Sequence, residues 1–441
     1  INAIAGVQGK IAGISTVGPA QPGDGVSIQI RTPTSINKSS APLLVVDGVI
    51  LSESTADVNS LDVESIEVVK GAAGASLYGS RAANGVINIR TSRGNALSAG
   101  STRFTFRSET GVNSLGRKLN WAQYHFYQTN ANGDYVNAAG AVVTRDFRLA
   151  RPAATRFQDV AYNVPVYDPV AEFFDPGSQT TNSFTVAQNS ERTNWLSTLS
   201  NQKIAGVILG HGAYSRTDAR INLDHRPRSD LSLSLSGYSS RSTREELDGN
   251  TFFDLINQAP DINLLQPDPD GTKYIFQPDP VGIRPNPLYV AETNDQSTQR
   301  TRTLGSLGLR YAPLAWFTAD ADLSYDRSDR NFRAFLDRGS KTADAPGISP
   351  GSLELTNQWT SALNASASAN VLKQFGPITA RSTVRMLIED QKTATGTASG
   401  TNFSVAGTPR LNAALVKNSS SSAQQIQSQG YFFTGAVDYD S

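Results

Sequence analysis

From about residue 100 onward, apolar and polar residues alternate one for one along much of the chain. Leu231, Leu233 and Leu235 are separated by Ser232, Ser234 and Ser236, and Phe317, Ala319, Ala321, Leu323 and Tyr325 by Thr318, Asp320, Asp322 and Ser324. Leu363, Ala365, Ala367, Ala369 and Val371 follow the same rule against Asn364, Ser366, Ser368 and Asn370, as do Ile221 and Leu223, and Phe104 and Phe106. A period of two puts each set on its own face of a β-strand, one face apolar and the other strongly polar. Such runs predict about ten strands, near residues 101–111, 180–190, 193–203, 212–225, 229–241, 300–311, 315–327, 357–371, 378–390 and 427–439.

The connections between these strands fall into two classes. Glu191-Arg192, Arg226–Arg228, Ala312–Leu314 and Leu372–Pro377 read as tight turns, Ile204–His211 as a link of middling length, and the stretches after Arg241, Arg327 and Asp390 as long loops. A membrane barrel has short turns at one rim and long loops at the other, whereas a soluble sandwich has no reason to impose that asymmetry. Tyr214, Tyr238, Tyr311, Trp316, Tyr325, Tyr431 and Tyr439 lie near the predicted strand ends, where amphipathic rings favour the headgroup level, although Tyr packs at strand ends in any sheet. Trp121–Tyr127 reads as a short amphipathic helix over the barrel mouth.

The first hundred residues have a different grammar. Leu43–Val46 and Val49–Leu51 flank Asp47-Gly48, a dipeptide suited to a tight hairpin turn, while Ile66, Val68 and Ile87, Ile89 alternate with polar neighbours as two further short strands. Between them the glycine-rich stretch Gly71–Gly85 has room for one or two helical turns over Ala72–Tyr78. At Thr32-Pro33 a backbone donor is lost, so the strand before it ends there or lies at an edge.

The residues that carry a resemblance are Gln8-Gly9-Lys10-Ile11-Ala12-Gly13, Pro22-Gly23, Val26–Arg31, the run Pro42–Ile50 with its VVDGV core, and the segment from Val63 through Glu67, Lys70, Gly71, Tyr78, Gly79, Arg81, Asn84 and Gly85 to Arg90. In this order they resemble the plug of the TonB-dependent outer-membrane transporters of the SusC/RagA family. The chain departs from that pattern at Thr32-Pro33 and at Gly71, where the family has a glycine and an acid. The resemblance implies a membrane all-β fold. A transmembrane antiparallel β-barrel, incomplete here with about ten of about 22 strands, carries an N-terminal α+β plug domain. We expect the plug to cover residues 1–97 and the N-terminal part of the barrel, with long extracellular loops, to cover 98–441. The chain opens at Ile1 without a signal-like stretch, which is expected of a piece of a longer protein. A sheet so truncated should stay open, with free edges near residues 101 and 439.

Composition narrows the chemistry. Lys and Arg together number 39, as do Asp and Glu, so no net positive charge invites nucleic acid. Cysteine is absent, which removes disulfide frameworks, thiol nucleophiles and Cys-based zinc sites. No apolar run approaches the roughly 20 residues of a membrane helix. His125, His211 and His225 are isolated, so no metal site is expected, and no cofactor is implied. Ser76 lies in Gly74–Gly79 with its second glycine one residue late for a nucleophile elbow. Asp320 and Asp322, about 7 Å apart on one strand face, read as a wetted wall and not as a glycosidase pair. No catalytic residue is expected, and the chain does not read as an enzyme.

The resemblance implies active import of oligomeric nutrients, glycans first, across the cell outer membrane, with the plug gating the lumen. It implies TonB with its inner-membrane energising complex and a SusD-like surface lipoprotein as partners, besides outer-membrane lipid. Peptide import of the RagA type and a non-transporting receptor or adhesin are the alternatives, with a secreted lectin a more distant one. Asp47, Gly48, Glu67, Lys70, Gly71, Tyr78, Gly79, Arg81, Asn84 and Gly85 form the plug motif. Phe252, Phe253, Tyr274, Phe276 and Tyr289, in the long stretch Arg244–Thr298, are the candidate ligand contacts, since exposed rings stack on sugar faces but also pack large loops down.

Overall fold

The computed structural model describes residues 40–52, 63–70, 82–118, 166–260, 262–278, 284–343 and 347–439, with short pieces between 11 and 30 and between 124 and 161. Two sheets dominate. The smaller holds β3 (Leu43–Val46), β4 (Val49–Ile50), β5 (Val63–Val69) and β6 (Val86–Thr91) in the order β4-β3-β6-β5, and β1 (Ile14–Val17) pairs with β2 (Ser27–Ile30) beside it. The central strands β3 and β6 run parallel, Leu43 opposite Val86, and both read as nearly unbroken aliphatic runs because both faces are covered. Asp47 and Gly48 have φ of 47° and 83°, the pair of positive values a two-residue hairpin needs, so the expected turn forms between Val46 and Val49.

The larger sheet begins at β7 (Thr102–Asn113). Four two-residue strands follow, β8 (Tyr124–His125), β9 (Gln128–Thr129), β10 (Tyr135–Val136) and β11 (Val160–Ala161). Long antiparallel strands complete the sheet: β12 (Gly177–Asn189), β13 (Thr193–Ile204), β14 (Tyr214–Arg228), β15 (Leu231–Glu246), β16 (Asn294–Leu314), β17 (Phe317–Lys341), β18 (Ile348–Phe375), β19 (Ile378–Phe403) and β20 (Ala414–Tyr439). Each pairs with its neighbours in chain order from β7 through β12 to β20, and among the described residues β7 and β20 pair on one side only. All ten strands of this sheet fall where the alternation places them, and the sheet is open as expected.

Cross-strand register turns the alternation into surfaces. Leu235, Leu307, Leu323, Ala365 and Ile388 stand side by side across five strands, as do Leu231, Tyr311, Ala319, Ala369 and Val384. This face is exposed, with Phe104 and Phe106 at 68% and 71%, the arrangement of a lipid-facing band. Aromatic and basic residues mark its margins. Lys373 lies over the rings of Trp316 and Phe375 at one end, and Arg327 over Trp359 at the other. Ten residues from Phe317 to Arg327 advance about 33 Å along the strand. A tilt of about 40° makes that roughly 25 Å of height, the thickness of an apolar barrel band.

Three expectations need correction. The strands past Arg327 and Asp390 run on, β17 to Lys341 and β19 to Phe403, so the connections there are only residues 342–347 and 404–413. Above the lipid band both faces meet water or other loops, so the apolar alternation stops while the pairing continues. Tyr214 and Tyr238 are buried, at 4% and 8%, and face inward, whereas Tyr311, Trp316, Tyr325, Tyr431 and Tyr439 are the outward rings. Tyr124–His125 pairs as a strand with Val160–Ala161, so Trp121–Tyr127 is not the expected helix, and its other residues lie outside those described.

The stretch after Glu246 is long as expected, spanning 247–293, and carries the short helices Thr251–Ile256 and Pro287–Thr293. Asn286 accepts from the Leu288 N–H at 3.0 Å with Pro287 next to it, a side-chain cap followed by proline that starts the second helix. Asp168 and Pro169 repeat the device at the helix Pro169–Phe173, where Asp168 accepts from the Ala171 N–H at 3.0 Å.

Candidate functional site

The small sheet lies against the polar, inner face of the large one. Its apolar core, with Ile28, Leu44, Val46, Val49, Ile87 and Ile89, is closed on the wall side by Tyr238 and Leu304. Contacts reach from β12 and β13, at residues 94–96, round to β16, β17 and β18 at the β4 hairpin, so the wall curves about the small sheet. Inward residues of the wall that alternation alone would leave in water are thereby buried, among them Asp326 at 0%, Asn222 at 1% and Arg302 at 4%.

Among the described residues, two clusters of hydrogen bonds join the bodies. At the hairpin, Asp326 accepts through one oxygen from both the backbone N–H and the hydroxyl of Ser52, each at 2.8 Å. The same carboxylate takes a two-pronged bond from Arg302, Nε at 3.1 Å and Nη2 at 2.9 Å. Gln391 Nε2 donates to the Ser52 carbonyl at 3.2 Å, and the Ser306 hydroxyl donates to the Asp47 carbonyl at 2.9 Å. At the tail of β6, Arg93 donates to Asp224 at 2.5 Å and to Ser236 Oγ at 3.0 Å, while Asn222 Nδ2 donates to Thr91 Oγ1 and to the Ser92 carbonyl at 2.8 and 2.9 Å. Just beyond, Gly94 touches the wall backbone: a Cβ there would lie 2.5 Å from the Gln188 carbonyl oxygen and 2.7 Å from that of Trp195.

Of the motif residues, Asp47 and Gly48 form the hairpin turn, with Asp47 also bonded to Thr91. Glu67 is exposed and accepts from Asn88 Nδ2 at 3.2 Å; Lys70 and Asn84 are half-buried. Gly85 has φ of 95°, and a Cβ would meet Ile30 Cδ1 at 2.9 Å, so glycine is required there on two counts. Gly71, Tyr78, Gly79 and Arg81, with the expected helical turns over Ala72–Tyr78, Ser76 and Thr32-Pro33, lie outside the described residues. The sequence reading missed Ser52, Arg93, Asp224, Arg302 and Asp326. The inward polar positions of the wall held the available signal, and it was read only for Asp320 and Asp322, where Asn370 and Ser366 donate to them on the inner face.

The five loop aromatics divide. Tyr274 and Tyr289 are buried, at 4% and 3%, in a loop core with Phe173, Ile208, Leu264 and Leu288, and Phe276 packs edge-on against Tyr289. Their faces are closed to a ligand, which corrects the expectation for this pair. Phe252 and Phe253 remain open at 42% and 48%, Phe252 stacked on Phe174 and Phe253 covered in part by the Arg284 guanidinium at 4.5 Å. Tyr289 also accepts, through its hydroxyl, from the Lys341 N–H at 2.7 Å, and the Lys341 ammonium bridges Asp268 and Asp270 at 2.6 and 2.7 Å. Hydrogen bonds from Lys341 and from Thr272 hold the Asp270 carboxyl well below the usual carboxylate range. Burial pushes Glu172 up, against the pull of its Leu264 N–H donor, and pushes Asp254 up against Arg284. Among the described residues no group of three or more acids and histidines converges as metal ligands would.

Comparison with known proteins agrees with this architecture. The TonB-dependent receptor plug domain model matches residues 2–86. The chain is 25% identical over 333 residues to TonB-dependent receptor P39 of Formosa agariphila, covering 75% of this chain and 30% of that protein. It is 38% identical over 171 residues to TonB-dependent receptor SusC of Bacteroides thetaiotaomicron, covering 36% of this chain and 17% of SusC. Among solved structures, the RagAB peptide importer in its closed-closed state superposes with a TM-score of 0.75 at 18% identity, over 100% of this chain and 52% of that one. The ferric citrate transporter FecA superposes with a TM-score of 0.56 at 12% identity, over 97% and 50%. The chain thus spans about half the length of these structures and less of its curated relatives. With a plug-type sheet seated on the inner face of an open, lipid-banded wall, the chain carries the plug domain of the TonB-dependent receptors, is similar to SusC over part of its length and shares the fold of the RagAB structure.

Proposed function

We propose that the whole protein imports oligomeric nutrients across the outer membrane, with residues 1–97 as the plug and 98–441 as the first part of the barrel. The observation that carries this is the character of the plug–wall interface. Around the small apolar seat that Tyr238 and Leu304 provide, the described plug residues meet the wall through hydroxyls, amides, the Asp326 carboxylate and the Arg93–Asp224 ion pair, contacts that water can replace. Such contacts re-form with water when broken, so a neutral one contributes about 1 kcal/mol net and one to a charged group about 1.5–3 kcal/mol. A stopper so held seals the lumen yet can be displaced by work from outside the barrel. That work is assigned to TonB and its inner-membrane energising complex, and capture of cargo to a SusD-like surface lipoprotein. No covalent step is required of the protein.

Glycans are the proposed cargo, with Phe252 and Phe253 as the open rings available for stacking on sugar faces. Peptides are the second reading, favoured by the likeness of this fold to a structure described as a peptide importer. Calorimetric titration of the full-length protein with its lipoprotein, against a glycan panel and a mixed peptide library, separates the two. Heat with glycans that is lost in Phe252→Ala/Phe253→Ala is the expected result, and heat with peptides alone would reverse the assignment. Uptake in cells with and without TonB tests import itself, and binding without TonB-dependent uptake would leave a receptor or adhesin.

A further inference from the structure

The outward face of β12 to β15 changes character at one height. Phe184, Leu199, Ile221 and Leu235 stand exposed in the lipid band. Further from the tight-turn rim, positions of the same parity carry Ser178, Thr180, Asn182, Asn201, Ser215 and Thr243, which line a hollow of about 630 Å³. Its level can be counted off the strands. Lys203 lies ten residues beyond Thr193, where β13 leaves its turn, and Arg241 ten beyond Leu231, where β15 begins. Arg327 lies ten beyond Phe317 and marks the margin of the band together with Trp359. Strands that tilt alike from one rim reach equal height after equal numbers of residues, so the three cations share the far edge of an apolar band about 25 Å tall. The long connections lie at this end, which makes it the outer leaflet.

Asn182 and Asn201 are cross-strand partners in this hollow. The Ser108 hydroxyl donates to the Asn182 carbonyl at 2.7 Å, and the Asn201 amino group donates to Thr217 Oγ1 at 2.9 Å, which fixes both side chains. Among the described residues the Asn182 amino group and the Asn201 carbonyl are left over, a donor and an acceptor on neighbouring strands, as the adjacent hydroxyls of a sugar require. Lys203 lines the same hollow, Arg241 lies one outward position nearer the band than Thr243, and both are exposed. Glu245 is the one acid of the lining, and its carboxylate accepts from the Ala213 N–H at 3.1 Å.

We propose that this hollow binds the phosphorylated sugar headgroup of a glycolipid in the outer leaflet. The apolar band directly beneath fixes the occupant as a membrane lipid. Hydroxyls and amides match a polyol, and two cations, whose stems lie along the apolar face with their charged ends at its margin, face one acid that is already engaged and so favour phosphate. The site is on the outside of the wall, away from the plug, and stands whether or not the protein imports anything.

The test is retention of lipid by the full-length protein, purified in detergent with added lipopolysaccharide or phosphatidylglycerol and measured by native mass spectrometry. The protein should retain lipopolysaccharide in preference to phosphatidylglycerol. Lys203→Gln and Arg241→Gln should each weaken that retention about tenfold, the loss of one charged hydrogen bond. Asn182→Ala/Asn201→Ala, which keeps both cations, should weaken it too, while Lys417→Gln, which removes an exposed cation of β20 far beyond the band, should change nothing. Thermal unfolding without lipid should be the same in all these variants, so that loss of the site is told apart from loss of the fold. Retention that is unchanged in the Lys203 and Arg241 variants, or equally weakened in Lys417→Gln, would overturn the proposal. Equal retention of phosphatidylglycerol would reduce the hollow to an anion-attracting surface and overturn sugar recognition. Glucosamine 1-phosphate competing as strongly as the lipid would put the ligand in solution, and a dimer that dissociates in Lys203→Gln would give the face to a second copy of the chain; either result overturns the membrane assignment.

Discussion

Asp47 accepts both the backbone N–H and the hydroxyl of Thr91, 44 residues further on, at 3.0 and 2.5 Å, from a backbone held at φ of 47°. The turn of the plug hairpin is thereby bonded to the last residue of the central strand β6, and Thr91 is fully buried. An Asp-Gly hairpin turn demands only a residue tolerant of positive φ, so the acid has a second task that the turn alone does not explain.

Asp47→Ala removes both contributions. A left-handed conformation costs alanine about 1–2 kcal/mol, and the two buried donors on Thr91 left unpaired add about 1–3 kcal/mol each. Asp47→Gly relieves the backbone strain and loses only the acceptor, while Asp47→Asn keeps one acceptor and tolerates the φ. Hydrogen-exchange protection of Val86–Thr91 in the full-length protein should fall in the order Asp, Asn, Gly, Ala. Equal loss in Asn and Ala would show that Asp47 serves the turn only.

Arg93 and Asp224 pair across the plug–wall joint at side-chain exposures of 20% and 30%, so solvent screens them in part. Arg93→Met and Asp224→Asn should each loosen the joint, and the double variant should recover part of the loss, with a coupling of about 1 kcal/mol. Exchange rates of the amides of residues 91–97 across the four proteins supply the cycle. Strict additivity would mean that the two side chains act through separate partners, Arg93 through Ser236.

Gly94 gives a sharper steric test because the atoms in the way are backbone. Gly94→Ala drives a methyl against the Gln188 and Trp195 carbonyls, neither of which can move without breaking the β12–β13 ladder, and overpacking of this kind costs about 1–3 kcal/mol. Gly111→Ala, where a Cβ meets nothing within 4 Å and φ is not positive, should be near neutral. Thermal unfolding of both variants in detergent checks the contrast, and a neutral Gly94→Ala would show that the joint has slack.

How much of this was written in the alternation can be judged from Asp326. Its parity with Asp320 and Asp322 is visible in the sequence and places all three on the inner face. What parity cannot convey is depth or partner. Asp320 hydrogen-bonds to its wall neighbour Asn370, while Asp326 meets Ser52 from 274 residues away. Strand number was legible because a lipid face forces period two. Strand length was not, because beyond the band β20 continues with almost wholly polar residues, as in Lys417–Gln425. The loop aromatics were legible as a group but not individually, since composition does not distinguish the ring that closes a loop core from the ring left over.

That division of the aromatics has its own consequence. Tyr274→Ala opens a cavity in the loop core and should cost about 3–5 kcal/mol of loop stability. Tyr289→Phe keeps the packing but leaves the Lys341 N–H without its acceptor, at about 1–3 kcal/mol. Phe252→Ala and Phe253→Ala should leave proteolytic protection of residues 247–293 nearly unchanged while lowering cargo binding. Loss of protection in the phenylalanine variants, or of binding alone in Tyr274→Ala, would reverse the assignment of core and surface.

The loop should also tighten as pH falls toward the ordinary carboxylate range. Glu172 lies in the helix Pro169–Phe173, its Oε2 accepting from the Leu264 N–H at 2.8 Å, and burial raises its pKa above the usual 4.5. Asp254, raised by burial from 3.8 with Arg284 opposing, acts in the same sense. A folded-state pKa above the unfolded one means that the folded loop binds more protons throughout the window between the two values. Stability there must decrease as pH rises and recover as it falls, and below 4.5 the gain from Glu172 is complete. Asp168 and Asp270 have lowered values and so lose their contribution only on further acidification below 3.8. Protection of residues 262–278 should therefore rise from neutral pH toward 4.5 and decline below 3.8. Glu172→Gln keeps an acceptor for Leu264 without the charge, and should raise protection at neutral pH and flatten the upper part of this profile. A profile unchanged by Glu172→Gln would place the titrating group elsewhere in the loop, with Asp254 the next to test by Asp254→Asn.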